Sequence, residues 1–100
     1  MTPLHIALED GFDGHDVTIQ IGDRKVYGRQ GVKTDLRISR ADAVEVALSS
    51  AQAHVVVSVE PGALRASIDL DALTTPYLTI SIGPPGTIQL TASPDMPRYM

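Results

Sequence analysis

His54-Val55-Val56-Val57-Ser58-Val59-Glu60-Pro61-Gly62-Ala63-Leu64-Arg65-Ala66-Ser67-Ile68-Asp69-Leu70-Asp71 reads as a strand, a turn and a returning strand. Val55, Val57 and Val59 share one side of an extended chain. Leu64, Ala66, Ile68 and Leu70 share one side of the next, with Arg65, Ser67, Asp69 and Asp71 on the other. Alternation with a period of two is what a strand needs when one face is buried and the other is wet. Pro61-Gly62 supplies the turn, because proline presets φ and glycine tolerates its positive values.

The same beat extends in both directions. Toward the C-terminus it recurs at Leu78, Ile80 and Ile82. The Gly83-Pro84-Pro85-Gly86 breaker follows, and then Ile88, Leu90 and Ala92. Toward the N-terminus it appears at Val44, Val46 and Leu48, at Val32, Thr34, Leu36 and Ile38, at Val17, Ile19 and Ile21, and at Leu4, Ile6 and Leu8. Gly22-Asp23 suits a tight hairpin turn with Val26 on the return strand, and Gly28 to Gly31 reads as a second polar turn. Residues 40–51 also fit a helical stripe through Val44, Leu48 and Ala51. The Val-Glu-Val-Ala-Leu alternation and the neighbouring strands favour a strand.

Short segments with turn chemistry between them, and no helix long enough to cross over a parallel sheet, predict an all-β fold. The expected architecture is an antiparallel β-sandwich of seven to nine short strands, immunoglobulin-like or prealbumin-like. Residues 1–92 are expected to form one domain, with 93–100 a proline-containing tail. Aromatic residues are few, so Val, Ile and Leu should build the core, with Phe12 and the tyrosines near loops and rims.

Part of this order has a counterpart. The stretches Thr18-Ile19-Gln20-Ile21-Gly22-Asp23-Arg24-Lys25-Val26-Tyr27-Gly28, Thr34-Asp35-Leu36-Arg37-Ile38 and His54-Val55-Val56-Val57-Ser58-Val59 resemble small prealbumin-like modules of the PEGA and carboxypeptidase-regulatory type. The likeness covers under half of the chain. Ser49-Ser50-Ala51-Gln52-Ala53 stands where the Pro-Glu-Gly-Ala signature would fall. The resemblance implies a fold class and a binding or spacer role, and it transfers no catalytic residue.

Composition narrows the chemistry. Cysteine is absent, which removes disulfides, thiolate metal sites and thiol nucleophiles. Met1 to Gly14 has neither the basic start nor the apolar run of a secretory signal, and no segment has membrane-span length, so a cytoplasmic chain without membrane contact is expected. The net charge of −4 is unevenly spread. Glu9, Asp10, Asp13, Asp16 and Asp23 make residues 1–23 wholly acidic, whereas Arg24, Lys25, Arg29, Lys33, Arg37 and Arg40 oppose only Asp35 in residues 24–40.

The acidic loop from Glu9 to Asp16 holds the densest set of oxygen ligands, so calcium or carbohydrate binding there is the alternative function. Its spacing does not match an EF-hand, and a solvated loop of glycines and Asx-turning aspartates is the preferred account of it. Asp10, Asp13, Asp16 and His15 come nearest to a metal site, yet His5, His15 and His54 are not spaced to share an ion, and no metal or other cofactor is expected. No Gly-x-Ser-x-Gly elbow and no phosphate-cradling motif occurs, so no catalytic residue is assigned. Asp69 and Asp71 read as a wet sheet face.

Arg29, Lys33, Arg37 and Arg40 are the candidates for an anion or a partner, with Lys33, Asp35 and Arg37 expected on one outer strand face. Net negative charge and the scarcity of stacking aromatics set nucleic acid aside. The reading that remains is a non-enzymatic interaction or structural module, engaging a protein partner or self-associating through edge strands or the tail.

Overall fold

In the computed structural model, residues 2–35, 37, 40–60, 62–83 and 86–94 are described. Eight strands follow in order: β1 (Thr2–Leu8), β2 (Asp13–Ile21), β3 (Arg24–Lys33), β4 (Asp42–Leu48), β5 (Gln52–Glu60), β6 (Leu64–Asp71), β7 (Tyr77–Gly83) and β8 (Thr87–Ser93). They form two four-stranded sheets, β4-β1-β7-β8 and β3-β2-β5-β6. Every pairing is antiparallel except β1 with β7, which is parallel. The fold is an all-β sandwich, and residues 42–48 are strand, which settles the helix alternative.

The hydrophobic beat sets which residues face inward. Leu4, Ile6 and Leu8 of β1, Val17 and Ile19 of β2, Val55, Val57 and Val59 of β5, and Leu78 and Ile80 of β7 are almost completely buried. These four strands are the inner strands of their sheets. Each such side chain contributes about 1.5–3 kcal/mol by leaving water. Several inward residues of the edge strands are only partly buried, Val44 and Val46 on β4, Leu64 and Ile68 on β6, and Ile88 and Leu90 on β8, whereas Val32, Leu48 and Leu70 on β3, β4 and β6 are buried.

Three sequence expectations are corrected. Gly28 to Gly31 is not a turn, because β3 runs through it. The pairing of β2 with β3 slips between His15/Val32 and Val17/Arg29, where Gly31 has φ 67°, and between Asp13/Lys33 and His15/Val32, where Gly14 has φ 78°. The glycines therefore make bulges, each inserting one residue without ending the strand. Second, the beat from Val32 to Ile38 is not one strand. β3 stops at Lys33, Asp35 makes an isolated bridge to Arg40, and Arg37 lies in a turn. Leu36 and Ile38 lie outside the described residues.

Third, Phe12 is a core residue, only 4% exposed. The chain passes from the first sheet to the second through residues 9–12, and hydrogen bonds hold that crossover in place. Glu9 N–H donates to Ile80 O, Asp10 O accepts from Ile82 N–H, and Phe12 O accepts from Thr34 N–H. The Thr34 hydroxyl accepts from Phe12 N–H and donates to Glu9 O. Of the expected tail, residues 95–100 lie outside the described residues, and Ser93 is the last residue of β8.

Candidate interaction edge

Folding brings the acidic and basic segments, separate along the chain, to the same end of the sandwich. Arg29 Nη1 donates to Asp42 Oδ2 at 2.7 Å, and Arg37 forms a two-pronged pair with Asp35, Nε to Oδ1 at 3.2 Å and Nη2 to Oδ2 at 3.1 Å. Lys33 Nζ is 4.0 Å from Asp13 Oδ1, and Arg40 accepts the Asp35 N–H through its carbonyl. Lys33 remains on β3 while Arg37 is turned back toward Asp35, so no common row of cations forms. Arg29, Gly31, Val32, Lys33, Ala41 and Asp42 line a cleft of 260 Å³ in which Asp42 already offsets Arg29.

In the acidic loop, one carboxylate is hydrogen-bonded across the β2–β3 hairpin. Asp16 Oδ1 accepts Gly31 N–H, and Asp13 N–H donates to His15 Nδ1. Among the described residues no group of three or more His, Asp or Glu side chains gathers to hold a metal ion. The other two imidazoles face cross-strand acids. His5 Nδ1 lies 3.3 Å from Glu45 and its ring stacks on Tyr77 at 4.9 Å, while His54 Nδ1 meets Asp69 at 2.5 Å. His54 and Asp69 are register partners on β5 and β6 and border a groove of 540 Å³ with Gln52, Ala53, Leu70 and Asp71. An acid orienting an imidazole is half of a nucleophilic triad, but no hydroxyl is hydrogen-bonded to this imidazole among the described residues.

The two open sides of the sandwich differ. On one, β3 and β4 are clasped: the Tyr27 hydroxyl donates to Asp42 Oδ2 at 2.8 Å beside the Arg29 contact, and Asp42 Oδ1 accepts Ala43 N–H. Burial, then the Asp42 carboxylate, push the Tyr27 phenol up to about 12. Burial raises the Asp42 carboxyl too, but hydrogen bonds from Tyr27, Ala43 and Arg29 outweigh it and hold this carboxyl below its ordinary value. Arg37 in the same way lowers Asp35.

On the other side, β6 and β8 run beside each other, and Leu64, Ile68, Ile88, Leu90 and Ala92 form a half-buried apolar seam there. An edge strand presents unpaired backbone N–H and C=O groups, which natural sheets protect with charge, proline or bulges. β3 is broken by bulges and carries Arg24, Lys25, Arg29 and Lys33. β4 has Asp42 and Glu45, and β6 has Arg65, Asp69 and Asp71. β8 alone among the edges has no charge and no proline, and its register with β7 is unbroken from Tyr77↔Ser93 to Gly83↔Thr87. The sequence held this signal in the neutral stretch Thr87-Ile88-Gln89-Leu90-Thr91-Ala92-Ser93. Which strands are edges is a property of topology, so it was not visible there.

No family model matches the chain, and neither a curated protein nor a solved structure matches it. The resemblance to prealbumin-like modules thus holds as architecture: two packed sheets of the broad immunoglobulin/prealbumin-like kind, not a specific family. No helix among the described residues is long and apolar enough to cross a membrane.

Proposed function

We propose that this chain is a non-enzymatic interaction module that binds another protein strand along the side formed by β8 and β6. The observation that carries the reading is a β8 edge without charge or proline beside a half-buried apolar seam. Strand addition at such an edge draws affinity from main-chain hydrogen bonds and specificity from the alternate side chains, here Ile88, Leu90 and Ala92. The clasped β3–β4 side offers neither feature.

The test uses a fluorescent peptide reproducing residues 87–93 as the probe strand. Saturable anisotropy on titration with the intact chain is expected, lost in Ala92→Pro, which removes an N–H that faces away from β7. Absence of binding by the chain in monomeric form, or binding that Ala92→Pro leaves unchanged, overturns the reading.

A further inference from the structure

We infer that the strand received at this side is a second copy of the same chain, set antiparallel across a two-fold axis; this rests on the interaction-edge reading above. An isologous contact requires a surface that complements itself. β8 does so trivially: centred on Leu90, Ile88 faces the second copy's Ala92, Gln89 faces its Thr91, and Thr87 faces its Ser93, with no charge opposed to a like charge.

β6 does so through its charges. Centred on Ser67, antiparallel self-pairing sets Arg65 opposite the second copy's Asp69 and Asp69 opposite its Arg65, while Leu64 faces Leu70 and Ala66 faces Ile68. The charged face of β6 that defends it against foreign strands is thereby matched to itself. Arg65 makes no ion pair among the described residues, and Asp69 is 84% exposed with only the neighbouring imidazole beside it. The same arrangement covers the seam of Leu64, Ile68, Ile88, Leu90 and Ala92 from both copies. Opposite charges directly across a strand pair attract, and like charges there repel.

Light scattering on the eluting intact chain over a dilution series tests the pairing. The expected mass is twice 10.7 kDa, halved by Thr91→Lys and by Arg65→Glu, and restored by the exchange Arg65→Asp with Asp69→Arg. Cooperative thermal melts of Thr91→Lys and Arg65→Glu show that each single variant folds. A monomer at every concentration that still binds the 87–93 peptide overturns the second-copy inference and leaves the edge reading standing; a monomer that binds no peptide overturns both. A dimer indifferent to Thr91→Lys and Arg65→Glu overturns the assigned two-fold.

Discussion

Tyr27 and Asp42 belong to edge strands of different sheets, and a hydrogen bond of 2.8 Å joins them across the side of the sandwich. Arg29 shares the same carboxylate oxygen. One acid thus closes one flank, whereas on the other, half-buried Leu64, Ile68, Ile88, Leu90 and Ala92 lie along β6 and β8. That asymmetry is the structural basis for placing the interaction at β6 and β8.

The clasp gives stability an alkaline limb. An unfolded tyrosine loses its proton near 10, whereas Tyr27 holds its proton to about 12 in the folded chain. The unfolded state therefore binds fewer protons between those values, and stability present below pH 10 is lost as pH rises through about 12. Tyr27→Phe removes this limb and costs about 1 kcal/mol at neutral pH through the lost hydrogen bond. Urea melts of both proteins from pH 7 to pH 12 check this; parallel curves contradict it.

Asp42 gives the acid limb. Its folded-state value is depressed below the ordinary 3.8, so its contribution is present above that value and fades as pH falls through the folded-state value. Asp42→Asn is expected to melt with a shallower dependence on pH below 4, and to be less stable at pH 7 by about 1–2 kcal/mol. Thermal melts across the acid range measure both effects.

Gly11 is required by space as well as by backbone geometry. Its φ is 91°, and a Cβ there would collide with the Ile82 carbonyl oxygen where the crossover docks on β7. Gly11→Ala is expected to cost about 3 kcal/mol or more. Gly14→Ala has open space around it and only the strain of φ 78°, so it should cost about 1 kcal/mol. Equal destabilisation of the two in denaturant titrations would count against this account of the crossover.

Ile80 lies in the middle of β7, fully buried, with β1 on one side and β8 on the other. Ile80→Ala is expected to destabilise by about 2–5 kcal/mol. Because β7 holds β8 in place, peptide binding should weaken together with stability. Thr91→Lys should weaken binding alone. Paired melting and anisotropy measurements separate the two.

The sequence revealed the strands with a clean beat because burial on one face imposes it directly: Leu4 to Leu8, Val55 to Val59 and Leu78 to Ile80 all face inward as their spacing indicates. Gly31 and Val32 show where that reasoning stops. A glycine bulge and a glycine turn look alike in sequence, and the backbone pairing alone separates them. Phe12 sits between two glycines and three acids, and is buried because Thr34, distant in sequence, fastens its backbone. The charge blocks of residues 1–23 and 24–40 suggested two separate surfaces, whereas the β2–β3 hairpin interleaves them, as with Lys33 beside Asp13. The partner edge was illegible for a related reason: nothing in residues 87–93 marks them as an edge until the order β4-β1-β7-β8 is known.

Amide hydrogen exchange at Thr87–Ser93 in the monomeric Arg65→Glu variant, with and without a saturating peptide of residues 87–93, tests the central claim most directly. The account predicts slowed exchange along β8, with β3 unchanged. Unaltered exchange at β8, or slowing spread evenly over both sheets, would contradict it.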